Sequence, residues 1–584
     1  MVEERTESRE VSFRQFLPWT HIFRSFRIAL NPKSLLLAAA GILVMAFGWW
    51  LLALIFSGIR KEPVWPTDYM TAEYPTVEGE KISSEDKKWE AFKIDRNCWS
   101  LLYEAAGRTP EKLDVSDFAQ SPGEFDILKA QVADKKKVLE VNGRTYVIKN
   151  RPYGKLCTWP WSEDRGPNPY LLVTGKTGNA DLDSTHYVPW ERGQFFDWFL
   201  GAQVPVLIEP LIKFLRPVFY FLHPNAGYRE RLYFLLVILW TVATWAIFGG
   251  AITRMAAVSF ARNESVGITT ALRYTISRWK TYLLASSGPL LLIAGLFLVL
   301  VLLVGLVNLV PLVGDFWAAL MWPVVIILGV VIAIAMIGLI GWPMIHATLA
   351  AQGTDSFDAM GRCYSYVIQD AWNYLWYVLV AVVYGAVVVF FVGLVGSLAV
   401  YLGKWGVASM PGTTRFNRDP SYLCVYAPRS FGWRELLLNG SPVVAGKEKW
   451  SQSDVNDYVD TFHWWNYVGA FFVSMWLYLF FLMIIGFGYS YFWCASTIIY
   501  FLMRCKVDDI ELDEVYLEEE DDDSAAAGFA PAAPSPAAPM TGTVQMVEAP
   551  SLHKPPPPAP SVPTEPPSSS PGNSSGATPP PPPI

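Results

Sequence analysis

The stretch LLLAAAGILVMAFGWWLLALIF, residues 35–56, decides how the rest of the chain is read. It carries no charge, and a helix rising about 1.5 Å per residue makes it long enough to cross a hydrocarbon core about 30 Å thick. Water cannot satisfy backbone amides at that depth, so the stretch must be helical, with its hydrogen bonds closed inside the segment. Its depth in the chain, and the lack of a small-residue cleavage site directly after it, mark a retained signal anchor. Arg14, Arg24, Arg27 and Lys33 precede it, and the bias of basic residues toward the cytoplasmic side puts the N-terminus in the cytoplasm.

Five more stretches pass the same test: 232–252, 283–309, 316–345, 374–402 and 466–502. The last is long enough to tilt, or to break near Gly486 and Gly488 and continue along the interface to Arg504; the break is the preferred expectation. Alternation makes 57–231 and 403–465 extracytoplasmic and leaves 1–34, 253–282, 346–373 and 503–584 cytoplasmic. Segment 253–282 has Arg254, Arg262, Arg273, Arg278 and Lys280 against Glu264, as a cytoplasmic segment should. Segment 346–373, with Arg362 against Asp355, Asp358 and Asp370, lends no support. Trp49, Trp50, Trp317, Trp322, Trp342, Trp372, Trp376, Trp464 and Trp465 sit near span ends, where rings with a polar edge favour the headgroup region.

Composition agrees with a membrane class. The 584-residue chain is 52% hydrophobic, and its net charge of −7 owes much to the acidic run Glu518, Glu519, Glu520, Asp521, Asp522 and Asp523. Lys and Arg bracket apolar runs without clustering, so the bilayer is an expected partner and nucleic acid is not. Within 1–34, residues 11–30 interleave Phe13, Phe16, Trp19, Phe23 and Phe26 with Arg14, Arg24 and Arg27, the pattern of an interfacial amphipathic helix kinked at Pro18. A second such candidate is 204–222, where Lys213 and Arg216 interrupt apolar sequence and Pro205, Pro210 and Pro217 make a straight span improbable.

Segment 57–231 is long enough for one small domain, for which an α+β fold is expected. Val138-Leu139-Glu140-Val141 and Arg144-Thr145-Tyr146-Val147-Ile148 flank Asn142-Gly143, the dipeptide suited to a hairpin turn. Cys98 and Cys157 are candidates for a disulfide if that compartment is oxidising, and the odd third thiol, Cys424, leaves the pairing open. Segment 403–465 is expected to pack against the first.

No chemistry-bearing motif survives inspection. Thr174-Gly175-Lys176-Thr177 resembles a phosphate loop, but Tyr170 stands where its first glycine belongs. Asn179-Ala180-Asp181-Leu182-Asp183 resembles a calcium loop, but Ser184 replaces the turn glycine and Trp190 the closing acid. His21, His186, His223 and His346 are scattered, no CxxC pair occurs, and neither a metal nor another cofactor is implied; a lone histidine at a membrane boundary reads as an interfacial side chain. No catalytic residue is assigned. The span cores lack ionisable groups, which disfavours a proton-coupled transporter. Pro289 and Pro323 are candidate helix breaks, with ordinary span prolines as the alternative, and Gly385, Gly393 and Gly396 read as close-packing sites.

Two cytoplasmic stretches lead into spans through similar helices: Thr270-Ala271-Leu272-Arg273-Tyr274 with Trp279 and Tyr282, and Asp358-Ala359-Met360-Gly361-Arg362-Cys363-Tyr364 with Trp372 and Tyr374. They fit a degenerate repeat, or equally amphipathic cytoplasmic helices capped by interface aromatics that look alike without common descent, and the pattern distantly resembles the membrane domains beside some glycerophosphodiester phosphodiesterases. The segment from Ala495 to Arg504, with Lys506-Val507-Asp508 and Leu512-Asp513-Glu514-Val515-Tyr516-Leu517, resembles the C-terminal signature of uncharacterised polytopic membrane proteins of planctomycete bacteria. That resemblance implies a bacterial inner membrane and no known activity. From Ser524 the tail is rich in Ala, Pro and Ser, too poor in apolar residues to bury a core, and is expected to be disordered.

The expectation is thus an α-helical polytopic membrane protein of about six transmembrane helices, with an extracytoplasmic α+β domain and a disordered C-terminal tail, both termini cytoplasmic. Its leading functional reading is a non-enzymatic scaffold or assembly component that meets protein partners through the external domain or the Pro-rich tail. The runner-up is a transporter or channel component for a neutral or lipidic substrate, and a membrane enzyme with an extracytoplasmic site is the third.

Overall fold

The computed structural model describes residues 17–56, 63–67, 69, 84–104, 115–134, 138–141, 144–147, 159–163, 165–174, 195–223, 226–307, 310, 312–411, 419–443 and 452–517. Six helical stretches are long and apolar enough to cross a membrane: Pro32–Phe56, Tyr228–Arg262, Trp279–Leu303, Val313–Gln352, Ala371–Ala408 and Trp464–Asp508. The chain is a multi-pass helical membrane protein, and each expected span lies within or overlaps one of these.

A 3-10 turn, Pro18–Phe23, runs into helix α1 (Arg24–Ala29), and α2 (Pro32–Phe56) is the first span. Proline suits the first helical position of α2, where its missing N–H costs nothing, and the Asn31 side chain accepts a hydrogen bond from the Lys33 amide. Residues 11–16 of the expected interfacial helix lie outside the described residues. The rest packs one face on the bundle, with Ile22 and Ala29 fully buried and Ser490 Oγ donating to the Ala29 carbonyl, while Phe23, Arg27 and Leu30 are exposed.

Between the first two spans come α3 (Ser84–Glu104), α4 (Pro122–Asp134), the strands β1 (Val138–Val141) and β2 (Arg144–Val147), α5 (Pro169–Thr174) and α6 (Glu209–Phe221). The strands pair antiparallel in the register expected of a hairpin, Val138 opposite Val147 and Val141 opposite Arg144. The described core beside them is helical, with Trp89, Phe92, Phe118, Phe125 and Leu128 packed together. The α+β expectation is therefore not met among the described residues, because one two-stranded hairpin offers no sheet face around which such a domain is built.

The second span is α7 (Tyr228–Arg262), followed by α8 (Ile268–Ser277) and α9 (Trp279–Gly305). Helix α10 (Val313–Gly338) gives way to a 3-10 turn, Leu339–Gly341, and the chain resumes as α11 (Trp342–Gln352), α12 (Ser356–Gln369) and α13 (Ala371–Ala408). The expected breaks at Pro289 and Pro323 are absent, since both prolines lie inside continuous helices. The interruption falls just before Pro343 instead. Two glycines that flank it touch α12: a Cβ on Gly338 would stand 2.0 Å from the Tyr364 ring, and one on Gly341 2.8 Å from Val367. Helices α8 and α12 share three features. Each is amphipathic, buries Ala271 or Ala359 completely, and enters a span after one residue, Arg278 or Asp370.

After α14 (Trp433–Leu438) and α15 (Gln452–Asp460), the sixth span, α16, runs unbroken over 45 residues, Trp464–Asp508. The expected break at Gly486 and Gly488 is thus overturned. Gly486 serves approach instead: a Cβ there would meet the Leu35 carbonyl at 3.1 Å and the Ala39 nitrogen at 3.3 Å. Beyond Asp509, a left-handed cap, residues 510–517 fold back. The Tyr516 amide donates to Ala351 O at 2.7 Å, Arg254 donates to the carbonyls of Ala350 and Tyr516, and Arg504 to those of Glu511 and Glu514.

A Gly486→Ala variant should lose about 1–3 kcal/mol through forced separation of α2 and α16. Gly295→Ala, where nothing lies within 4 Å of the added Cβ, should not. Thermal melting of the two purified variants in one detergent checks this; equal melting temperatures would show that the crossing is loose.

Candidate functional site

The charged residues missing from the spans arrive from a segment that spans nothing. Residues 159–163, 165–174 and 199–221 fold in against α2, α13 and α16 and bring Glu163, Arg165, Glu209 and Lys213 together, each under 10% exposed. Glu209 and Lys213 lie one turn apart on α6, which begins after a bend at Ile208 and holds Pro210 in its first turn. Arg165 grips Glu209 with two donors, Nε to Oε2 at 2.7 Å and Nη2 to Oε1 at 2.8 Å, and reaches Glu163 at 2.9 Å. Lys213 Nζ closes the ring, 2.8 Å from Glu163 and 2.7 Å from Glu209. Tyr489, in the middle of α16, donates to Glu209, and Arg165 also donates to Ser430 Oγ and the Pro160 carbonyl.

Two cations balance two carboxylates, and every member is hydrogen-bonded, which is the condition for charges to persist away from water. The two acids are not equivalent. Burial alone would raise Glu209, but Arg165 and Lys213 together hold it well below the usual carboxylate range. Burial pushes Glu163 upward, against the pull of Lys213 and Arg165. Arg165 is desolvated too, yet the two carboxylates keep it charged. The same segment ties in residues 420–438: Asn168 donates to Ser397 Oγ on α13 and to the Phe431 carbonyl, and Arg429 N donates to Trp161 O. The expected packing of 403–465 against the preceding segment is met here.

Beside this cluster lies an apolar cavity of about 340 Å³ between α6, the α10–α11 junction, α13 and α16. Leu211 and Phe214 line one wall, Trp342 and Met344 a second, Val378 and Ala381 a third, and Tyr491 and Ala495 the fourth. Met336 and Ile340, 58% and 51% exposed, stand at its edge, so it opens sideways toward the bilayer. Its polar groups are already engaged. Tyr374 donates to the Ile340 carbonyl at 2.8 Å and Tyr491 to Ala381 O at 2.8 Å, while Tyr364 satisfies Ala335 O nearby. Tyrosine hydroxyls thus donate to one carbonyl within the 3-10 turn, Ile340, and to one a turn before it, Ala335, which also accepts the Leu339 amide.

Phe214 and Trp342, stacked 4.5 Å apart, separate this cavity from a void of about 10 Å³ lined by Thr241, Ser286, His346 and Trp493. Ser286 Oγ donates to Tyr282 O at 2.7 Å and lies 3.1 Å from His346 Nε2, so that nitrogen is the donor and Nδ1 the bare acceptor. His346 is 1% exposed, a core residue instead of the interfacial one expected. The Cys157 side of the candidate disulfide, and the Cys98 side chain, lie outside the described residues. Cys363, Cys424 and Cys494 are free and buried. Among the described residues no group of three or more His, Cys, Asp or Glu is arranged to hold a metal.

Sequence reading missed both the ionic cluster and the cavity. A search for charges inside spans passes over Glu163 and Arg165, though the i,i+4 pair Glu209 and Lys213 within apolar sequence was a usable signal. The run Gly338-Leu339-Ile340-Gly341-Trp342-Pro343 likewise marked the interruption. No family model, curated protein or solved structure matches the chain.

Removing Arg165 leaves two carboxylates facing one lysine, so Arg165→Met should destabilise by about 3–5 kcal/mol, and adding Glu163→Gln should recover part of that loss. Depressed Glu209 contributes stability above the ordinary 4.5, lost only as pH falls through its lower folded value; raised Glu163 gains stability as pH falls. Glu209→Gln should therefore cost more at neutral pH than Glu163→Gln. Unfolding of the three single variants and the double variant in detergent tests both statements, and equal costs for the two acids would contradict the assignment.

Proposed function

We propose that this protein binds a neutral or lipidic molecule in the cavity between α6, α11, α13 and α16, as a transport or channel component. The observation that carries the reading is the cavity itself, whose volume falls at the small end of ligand pockets, about 300–1,000 Å³. Its walls offer no free charge and its hydroxyls are occupied, which suits an apolar chain and excludes an ionic substrate on desolvation grounds. Entry past Met336 and Ile340 from the bilayer moves such a molecule between two apolar surroundings, so no headgroup-sized barrier opposes it. A scaffold is the second reading, favoured by the ionic cluster, which anchors the segments between spans firmly to the bundle instead of leaving them free to swing.

We further propose that both termini face the cytoplasm of a bacterial inner membrane. Helix α1, the start of α2 and the ends of α7 and α16 meet one another at one face of the bundle and carry Arg24, Arg27, Lys33, Arg254, Arg262, Arg504 and Lys506, in accord with the basic bias of cytoplasmic faces. The cluster around Trp89 and Phe92 then lies outside. Cys424 cannot report on this, because it is 7% exposed. Introduced thiols should: Asn439→Cys should react with an impermeant reagent in intact cells and Thr270→Cys only after lysis, and the reverse pattern would invert the topology.

Protein purified in a mild detergent should carry a bound apolar molecule detectable by native mass spectrometry. Leu211→Trp and Val378→Trp, which fill the cavity, should abolish that occupancy while leaving the melting temperature within a few degrees. Unchanged occupancy in both folded variants would sink the proposal and return the scaffold reading to first place.

A further inference from the structure

A second cavity, of about 220 Å³, opens where the chain enters the first span, between α1 and the end of α7. It is lined by Arg24, Arg27 and Asn31 on one side and Ser259, Asn263, Glu264 and Ser265 on the other. We propose that it is a binding site for the phosphate-bearing headgroup of an anionic phospholipid. This rests on observations separate from the apolar cavity.

The cavity is preorganised for an anion. Arg24 Nη2 donates to Asn263 Oδ1 at 2.7 Å, and its guanidinium lies 4.8 Å from the Phe260 ring centroid, so its position is set before any ligand arrives. Asn263 itself adopts φ 56° and ψ 22°, the left-handed cap that turns the chain out of α7 and brings its side chain over α1. Arg27, one turn further along α1, is exposed and makes no hydrogen bond or ion pair among the described residues, although Glu264 lines the same cavity. Two guanidinium groups against one carboxylate leave a surplus positive charge, and the Ser259 and Ser265 hydroxyls and the Asn31 amide add neutral donors. Planar guanidinium donors match phosphate oxygens in pairs.

The surroundings select a lipid over a soluble phosphate. Leu30 and Leu36, 43% and 49% exposed, follow Arg27 closely in the chain at the entry to the first span. Acyl chains attached to a phosphate held by Arg24 and Arg27 would lie against them. Basic pockets at this level of a membrane helix bundle are where acidic headgroups bind.

The test uses the full-length protein in nanodiscs of phosphatidylcholine containing a minor share of phosphatidylglycerol, with retained lipid read by native mass spectrometry after detergent transfer. Wild type should retain phosphatidylglycerol in preference to phosphatidylcholine. Arg27→Gln should lower that preference about fivefold, the factor for one basic residue near an anionic surface, and Arg27→Lys should keep most of it. Because Arg27 touches no other described residue by hydrogen bond or ion pair, its loss should leave the fold and the melting temperature unchanged. Arg229→Gln, at the start of α7, is the control and should have no effect. No preference in wild type, or an Arg27→Gln variant equal to wild type, would overturn the site. Inorganic phosphate added during transfer should not displace the lipid; full displacement by it would reassign the site to a soluble phosphate and overturn the lipid assignment.

Discussion

The grip of Arg165 on Glu209 and Glu163 is the interaction on which the arrangement of this bundle rests. Four ionised side chains packed among apolar helices are tolerable only because their charges cancel and their donors and acceptors are matched. That condition can be met in one geometry, so it sets where α6 lies and how deep the preceding turn at 159–163 descends. Through Ser430 and Asn168 it also draws in the segment before the last span. A hydrophobic substitute of equal volume would pack these segments without dictating their register.

The same reasoning accounts for the cavity. Helix α10 gives way to a 3-10 turn after Gly338, where the Tyr364 ring of α12 lies too close for a side chain, and Pro343, four residues after Leu339, has no N–H to donate to its carbonyl. Tyrosines from α12 and α13 donate to the carbonyls of Ala335 and Ile340 at this turn. The α10–α11 junction forms one wall of the cavity, and α6 forms another. Phe214 belongs to this wall while its neighbour Lys213 belongs to the ionic cluster, so one helix joins the charged and apolar halves of the site.

The basic end of the bundle is built by a third device, the left-handed cap. Asn263, Gly353 and Asp509 each end a long helix in that conformation, and each turns the chain back onto the bundle end. The first frames the cleft beside Arg24. The second leaves room for Tyr516, whose ring lies 2.7 Å from where a Cβ on Gly353 would be. The third starts the returning segment that Arg254 and Arg504 hold by its carbonyls. The carbonyls so held are those of Glu511, Glu514 and Tyr516.

Sequence alone determined the number of spans and their approximate ends, because a run of apolar residues long enough to cross a bilayer has few alternatives to a helix, whatever its neighbours do. It also determined the pairing of 138–141 with 144–147 and the amphipathic helices that bury Ala271 and Ala359, which depend on alternation and helical period. Only the tertiary structure decided that Pro289 and Pro323 stay within helices while Pro343 follows a break, that Gly486 is a crossing point, and that His346 is buried. Those outcomes turn on which helix packs against which, and hydrophobic pattern in a membrane does not encode that: lipid and protein interiors are equally apolar, so a buried face and a lipid-facing one read alike. The ionic cluster escaped for a related reason, since its members lie far apart in sequence and become a neutral set only when the chain brings them within 3 Å.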